Sequence, residues 1–217
     1  IFIGPYAGHK NEVTGNIFIG SYAGNANTTG PYNTFLGSES GKVNTTGGYN
    51  VFFGTNAGYS NTTGSKNAFF GYGAGRLNTE GAMNTYIGYG AGAQNTSGKQ
   101  NAFLGYATGA KNTIGFQNTF FGYGAGNNNT EGNLNLYLGN YAGFANATGS
   151  SNTAIGHSAG LNNTGSGNVF IGYKAGANET GSNKLYIDNT NTATPLIAGD
   201  FAANTVRVNG SFTYSSS

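Results

Sequence analysis

The sequence predicts an all-β fold, a parallel β-solenoid (β-roll) of eleven 17-residue coils, and three observations lead to this prediction. A glycine after an aliphatic residue or Phe recurs every 17 residues, or every 16 at each end of the array. A second glycine, mostly in an Ala-Gly step, follows four residues later, and a third glycine closes each unit. Charged residues make up only 7% of the chain, whereas it contains 40 glycines. Such repetition is typical of stacked units and not of a globular enzyme. The first glycines of the eleven units are Gly4, Gly20, Gly37, Gly54, Gly71, Gly88, Gly105, Gly122, Gly139, Gly156 and Gly172.

Each unit contains one clear strand, which ends at the first glycine. Residues 50–54 (NVFFG) and 84–88 (NTYIG) are rich in β-branched and aromatic residues and lie between Gly-rich turns. A shorter strand is expected around the Asn-Thr-Thr of each unit, so that one unit completes one coil. The three glycines are expected where the backbone needs positive φ or approaches a neighbouring coil closely. Eleven coils at a strand spacing of about 4.8 Å predict a rod roughly 50 Å long.

Stacking in register places each position of the repeat over its equivalent, so two apolar rows can be followed along the rod. The residue before the first glycine is always apolar, and we predict that this row forms the core; it includes Leu36, Phe53, Phe70, Leu104 and Phe121. The preceding residue is aromatic in all units but one, and this row includes Phe35, Phe52, Phe69, Phe103 and Phe120. Adjacent strand residues point to opposite faces. The second row is therefore expected on the outside of the coil.

An exposed stripe of aromatic residues would be far larger than the apolar patch of a few hundred Å² that a monomer usually tolerates. Burial of each Phe side chain contributes roughly 1.5–3 kcal/mol. The second row therefore predicts a self-association interface along the rod, in a dimer or a trimer with closed symmetry.

One unit, residues 152–160 (NTAIGHSAG), resembles the head repeats of trimeric autotransporter adhesins, and similar repeats occur in phage-type trimeric tail fibres. The resemblance covers residues 1–182. It implies a left-handed β-roll that assembles as a homotrimer, with an adhesive surface and no catalysis. The implied location is extracellular, on a cell surface or on a virion tail fibre. This chain differs from the commoner head repeat in its greater length and in its aromatic residue at a position where a small one is usual.

The chain is expected to contain two parts, the repeat array of residues 1–182 and a capping or connector segment of residues 183–217. Residues 184–187, 195–197 and 205–208 alternate in polarity and predict short strands. Solenoids need atypical terminal units to shield the last open edge. A connector that precedes a stalk and a removable chaperone is the alternative. The chain begins within a repeat, so we expect it to be an interior piece of a longer polypeptide.

The sequence predicts neither an enzyme nor a cofactor or metal site. His9 and His157 lie nine repeats apart, and the acidic residues fall in turns of different coils or in the terminal segment. A carbohydrate-active β-helix enzyme, the rival class, requires carboxylates clustered on neighbouring coils. The Gly-Tyr-Gly-Ala-Gly strings lack the spacing and the Lys of phosphate-binding loops and are expected to be turns. Nucleic-acid binding and a membrane span are not expected, because there is no basic patch and no long apolar run.

Three polar or aromatic rows are candidates for binding. The Asn that begins each strand is predicted to form a structural ladder of amides. Stacked Thr hydroxyls after the next Asn suggest ice binding as an alternative function, although Glu80, Ile114 and Glu131 interrupt the adjoining row. The same corner contains potential N-glycosylation sites at Asn27, Asn44, Asn61, Asn95, Asn146 and Asn178.

A row of tyrosines directly after the first glycine is predicted to be exposed and to contact a glycan, with packing of the turn as the alternative role. These residues are Tyr72, Tyr89, Tyr106, Tyr123 and Tyr173. The leading hypothesis is a structural and adhesive segment of a surface adhesin or tail fibre. Its expected partners are two further copies of the chain and a cell-surface glycan or receptor.

Overall fold

The computed structural model describes residues 1–211 and shows the predicted all-β parallel solenoid of eleven coils. Fourteen short strands form one sheet in chain order. Neighbouring strands from β1 to β12 are parallel, and β12, β13 and β14 pair antiparallel. The strands are β1 (Phe2–Ile3), β2 (Ile17–Ile19), β3 (Thr34–Leu36), β4 (Val51–Phe53), β5 (Ala68–Phe70), β6 (Thr85–Ile87), β7 (Ala102–Leu104), β8 (Thr119–Phe121), β9 (Leu136–Leu138), β10 (Thr153–Ile155), β11 (Val169–Ile171), β12 (Lys184–Ile187), β13 (Ile197–Asp200) and β14 (Thr205–Val208).

Each position of the repeat lies over its equivalent in the next coil, as predicted. Phe35 pairs with Phe52, and Phe52 pairs with Phe69. The same register holds across the two 16-residue units at the ends, where Phe2 pairs with Phe18 and Ala154 with Phe170. The rows deduced from the sequence are therefore rows of the folded rod.

The faces of the main strand are the reverse of those predicted. The row expected outside forms the core: Phe2 at the end of the rod is exposed, but Phe35, Phe52, Phe69, Phe103 and Phe120 are at most 1% exposed. The row expected inside, with Leu36, Phe53, Phe70, Leu104 and Phe121, lies on the outer surface. A three-residue strand directs only its middle side chain inward. The prediction named both rows correctly and assigned each to the wrong face.

Ring stacking explains why the aromatic row occupies the interior. Consecutive rings of Phe35, Phe52 and Phe69 lie nearly parallel, with centroids 4.7–4.8 Å apart. This distance matches the spacing of hydrogen-bonded strands, about 4.7–4.9 Å. One flat ring per coil therefore fills the narrow interior as a column from Phe2 to Tyr137, and Ala154 interrupts it in the tenth coil. Small alanines from the turns, such as Ala57 and Ala74, complete the core.

The predicted second strand at Asn-Thr-Thr is wrong, because these residues form a bend. The Asn61 side chain points inward and donates to the Gly64 carbonyl, 2.9 Å away, which holds the segment in a turn. Backbone hydrogen bonds still join the coils here, for example from the Thr45 amide to the Thr62 carbonyl at 3.0 Å. The corner is thus hydrogen-bonded between coils without an extended backbone.

The three glycine rows have the roles expected from the sequence. Gly71 has φ +134°, and a Cβ there would lie 2.5 Å from the Gly88 carbonyl oxygen of the next coil. Gly75 has φ +57° and lies against the Phe69 ring. Gly64 has no positive φ, but a Cβ there would lie 2.5 Å from the Gly81 carbonyl oxygen. All three rows permit close stacking of coils or rings.

The C-terminal segment continues the sheet. Strands β12 and β14 coincide with two predicted strands, whereas β13 begins at the end of the predicted 195–197 stretch. Tyr186 of β12 packs under Phe170, with ring centroids 5.8 Å apart, and extends the aromatic column by one member. A salt bridge of 2.6 Å between Lys184 and Asp200 joins β12 to β13. Residues 212–217 of the predicted capping segment lie outside the described residues.

Candidate binding surfaces

An extended apolar surface of the rod is formed by the outward row before the first glycine, here called the outer strip. Eight of its eleven members are 37–57% exposed, and the other three are partly buried. The row two residues earlier adds further exposed apolar side chains at Ile17, Val51 and Leu136. An aromatic side chain can bury about 150–250 Å², so the strip exposes several hundred Å² along one face. Its members are Ile3, Ile19, Leu36, Phe53, Phe70, Ile87, Leu104, Phe121, Leu138, Ile155 and Ile171.

Four of the predicted tyrosines form a second exposed row, here called the Tyr ladder. Its residues, each 45–53% exposed, are Tyr72, Tyr89, Tyr106 and Tyr123. Ring centroids are 5.1–5.2 Å apart and interplanar angles are 4–12°. Tyr173 is exposed as well but belongs to no stack of this kind, because His157 precedes it and the Lys174 ammonium lies 5.1 Å from its ring centroid. The predicted exposure is confirmed for all five, and glycan contact stays a prediction.

Stacking determines which part of each tyrosine a ligand can reach. Inside the ladder each ring face lies against the next ring, so the edges and hydroxyl groups remain accessible. A sugar therefore cannot lie flat on Tyr89 or Tyr106, which is the contact usually associated with exposed aromatic residues. The ladder instead presents phenol edges at the interval of the coils. Each hydroxyl can donate one hydrogen bond and accept others.

Beside the Tyr ladder runs a lane of small residues, here called the glycine shelf. It consists of the residues two positions after the first glycine in the same four coils, Gly73, Gly90, Ala107 and Gly124. A Cβ at Gly73 or Gly90 would have no neighbouring atom within 4 Å. Other coils place larger side chains at this position. These include Tyr22, Glu39, Asn56 and Lys174, all with φ between 56° and 58°.

Two rows of buried asparagines fasten the coils from within. The predicted row that begins each strand is at most 4% exposed, and its structural role is confirmed. For example, the backbone N–H of Asn50 donates to Asn33 Oδ1 at 2.9 Å, and the side-chain Nδ2 of Asn50 donates to the Gly64 carbonyl at 2.8 Å. Buried amides of this kind stabilise the fold only when their partners are present.

The second buried Asn row was missed as a ladder, although its 17-residue spacing was visible in the Asn-Thr-Thr corners. Asn61 Nδ2 donates to Asn44 Oδ1, and Asn78 Nδ2 donates to Asn61 Oδ1, both at 2.6 Å. Of the six potential glycosylation sites named above, five belong to this row and are fully buried, whereas Asn178 is exposed. Those five amides are therefore inaccessible in the folded chain.

The threonine grid of the ice-binding alternative uses its hydroxyl protons within the fold. Thr45 Oγ1 donates to the Thr62 carbonyl, and Thr62 Oγ1 donates to the Thr79 carbonyl, both at 3.1 Å. The pattern repeats from coil to coil through Thr130. Because each hydroxyl donates to the next coil, this row offers no free donor to an ordered layer of water. The geometry therefore favours a structural role for the grid.

Within residues 1–211, no group of three or more His, Asp and Glu side chains is arranged to hold a metal ion. His9 and His157 are exposed in turns of distant coils. In the described part of the chain, no helix has the length and apolarity needed to cross a membrane. An open depression of about 240 Å³ lies beside Glu179 and Tyr186 at the C-terminal end. There burial and the Glu179 carboxylate, which accepts the Tyr186 hydroxyl at 2.6 Å, raise the pKa of Tyr186 to about 12.

Known proteins offer no guide to the function of these surfaces. No protein family, curated protein or solved structure matches the chain. Functional inference therefore depends on the outer strip, the Tyr ladder and the glycine shelf.

Two tyrosines interrupt the phenylalanine column, and Tyr86→Phe is expected to raise the free energy of unfolding by about 1 kcal/mol. Among the described residues, the buried hydroxyls of Tyr86 and Tyr137 have no hydrogen-bond partner. Burial raises the pKa of both hydroxyls, and nearby Asn amides offset this only in part. A raised tyrosine pKa gives stability that is present below pH 10 and is lost as the pH rises further. Urea unfolding at pH 7 and pH 11 tests this, because the advantage of Tyr86→Phe should grow at pH 11.

Proposed function

We propose that this chain is a segment of a homotrimeric structural and adhesive fibre that lies outside the cell, on a cell surface or a virion. The outer strip carries the proposal. It is an apolar row that runs the length of a rigid rod, at a place where a solitary soluble chain would expose polar groups. The resemblance to trimeric adhesin and tail-fibre repeats supports the trimer and the left-handed winding.

A further copy of the chain is the partner that fits the outer strip best. The strip repeats at the interval of the coils over the whole array, and an identical rod presents the same interval in register. Standard interfaces bury about 800 Å² on each partner. A strip of eleven apolar residues, eight of them exposed and three partly buried, supplies an area of this order together with its flanking row. The near absence of charge on the strip is also typical of the centre of an interface.

A trimer requires two apolar edges on each rod, because every rod contacts two neighbours around the axis. The outer strip supplies one of these edges, and the flanking row supplies the other at Ile17, Val51 and Leu136. Exposed Tyr32 and Tyr49, whose rings stack at 5.3 Å, extend the same side. The Tyr ladder and the glycine shelf lie beyond the first glycine, on the other side of the strip. This arrangement allows three rods to associate while the shelf faces outward.

The assembled protein is expected to contain three chains, measured by light scattering coupled to size exclusion. The triple variant Phe70→Thr, Leu104→Thr, Phe121→Thr should elute as one chain with an unchanged circular dichroism spectrum, because it removes apolar area from the strip without altering the core. The control Leu77→Thr, Ile114→Thr changes exposed apolar residues outside the strip and should remain trimeric. A wild-type chain that stays monomeric at micromolar concentration would contradict the proposal.

A further inference from the structure

We infer that the Tyr ladder and the glycine shelf form a binding site for a linear β-1,4-linked polysaccharide that lies parallel to the rod axis. This inference deepens the adhesive part of the proposed function and rests on it. It names both the chemical class of the ligand and its direction. The site spans the four coils of Tyr72, Tyr89, Tyr106 and Tyr123.

The spacing between neighbouring tyrosines of the ladder indicates the length of one monomer in a matching polymer. Neighbouring ladder rings have their centroids 5.1–5.2 Å apart, and the coils that carry them advance by about 4.7–4.9 Å along the axis. A fully extended chain of β-1,4-linked pyranose rings advances by one sugar over nearly the same distance. Successive sugars of such a chain face alternately in opposite directions, so each sugar lies beside one tyrosine and every second sugar makes an equivalent contact. Four sugars would contact the four tyrosine hydroxyls, which can both donate to and accept from sugar hydroxyls.

The glycine shelf supplies the space for such a chain. In the coils with a ladder tyrosine, the residue after it is Gly73, Gly90, Ala107 or Gly124. The coils on either side have Asn56 and Tyr141 at this position, and these side chains bound the shelf at its two ends. The lane beside the phenol edges is therefore bare at Gly73 and Gly90 and carries only a methyl group at Ala107, and the Tyr141 ring closes it at Gly124. A flat polymer can lie on this lane with its hydroxyls directed at the tyrosines.

Other linear polymers fit this surface less well. An extended peptide advances about 3.3 Å per residue and repeats its side-chain direction every second residue, so it falls out of step with the ladder. Single-stranded nucleic acids require a positively charged groove along the backbone. The ladder and the shelf contain no charged residue. A neutral polymer with many hydroxyl groups matches both the interval and the lack of charge.

Sedimentation with insoluble polysaccharide tests the inference on the assembled protein. Wild-type protein is expected to be depleted by microcrystalline cellulose or chitin, and much less by starch, whose α-1,4 linkage produces a curved chain with a different repeat. Gly90→Asn should weaken binding by at least tenfold because it places a side chain on the shelf. Asn56 occupies the equivalent position in another coil with φ 58°, so the backbone at this position accommodates Asn.

Two further variants separate ligand contact from folding. Tyr89→Phe with Tyr106→Phe keeps the stacked rings but removes two hydroxyls, and should also weaken binding severalfold. Tyr6→Phe with Tyr22→Phe makes the same change in a stacked pair outside the four coils of the site and should bind like wild type. Wild-type affinity in Gly90→Asn, or equal binding to starch, would overturn the inference. Trimers that bind none of the three polysaccharides would also overturn it and leave the fibre assembly intact, whereas a monomer would contradict the fibre proposal itself.

Discussion

Replacing Gly71 by alanine is expected to lower the free energy of unfolding by at least about 3 kcal/mol, among the largest effects of a single substitution. Gly71 has φ +134°, and the new Cβ would lie 2.5 Å from the Gly88 carbonyl oxygen and 2.7 Å from its carbonyl carbon. Both atoms belong to the backbone of the next coil, so no side chain can move to relieve the contact. The two coils would have to separate, which weakens the hydrogen bonds between their strands.

Gly73→Ala is the matched control for Gly71→Ala. Its φ of +62° also lies in the left-handed region, but a Cβ there has no neighbour within 4 Å. The left-handed conformation alone costs about 1–2 kcal/mol. Thermal melts followed by circular dichroism should show a fall in Tm of about 10 °C for Gly71→Ala, because 1 kcal/mol corresponds to roughly 2–4 °C at this chain length. Equal melting temperatures for the two variants would contradict the backbone contact as the cause.

The glycines also show how much of the fold could be predicted from sequence. Because identical coils must stack at one strand spacing, the 17-residue period alone fixed the number of coils, the register and the rows. The three glycine positions followed, since a contact between coils recurs in every unit and excludes a Cβ in every unit. Two of the three C-terminal strands were also located from their alternating polarity, at 184–187 and 205–208.

The orientation of the rows could not be predicted in the same way, because periodicity states which residues stack and not which way they point. Phe69 and Phe70 are adjacent and identical in chemistry, yet the first is fully buried and the second is 37% exposed. The decision depends on ring geometry inside a narrow coil, where one flat ring per turn fills the space. The buried Asn61 row was missed for a related reason. Asn-Thr-Thr suggests a polar corner, while the inward turn of its Asn depends on the carbonyl of Gly64.

The Tyr ladder was predicted as a row but not as a site. The sequence places a tyrosine after each of five first glycines, which indicates exposure. Only the structure shows that four of the rings stack on one another and conceal their faces. The pairing of each ladder tyrosine with Gly or Ala was visible in the sequence. Its consequence, an open lane beside the ladder, becomes clear only from comparison with coils that have a larger residue, such as Asn56, at this position.

Phe103→Ala and Leu104→Ala are expected to have opposite effects on folding and assembly. Phe103 is 1% exposed and stacks on Phe120 at 4.8 Å, so its loss opens a gap in the column and should cost about 3–5 kcal/mol. Leu104 is 39% exposed on the outer strip. Its replacement should change the unfolding free energy of a dissociated chain by less than about 0.5 kcal/mol. Urea unfolding of a monomeric background that keeps Leu104, Phe53→Thr with Phe70→Thr and Phe121→Thr, with and without each substitution, measures both values.

Assembly provides the second half of this comparison. In the otherwise wild-type protein, Leu104→Ala should raise the concentration at which trimers dissociate, because it removes apolar area from each rod at the interface. Phe103→Ala should act through lost coil structure, visible as a weaker circular dichroism signal before any change in mass. If Phe103→Ala folds with normal stability but fails to assemble, the Phe103 row faces the partner chain and the Leu104 row faces the core, contrary to the structure. The orientation is decisive, because the same 17-residue repeat with its strand turned over would bury the aliphatic row and present a stack of phenylalanine rings to the partner.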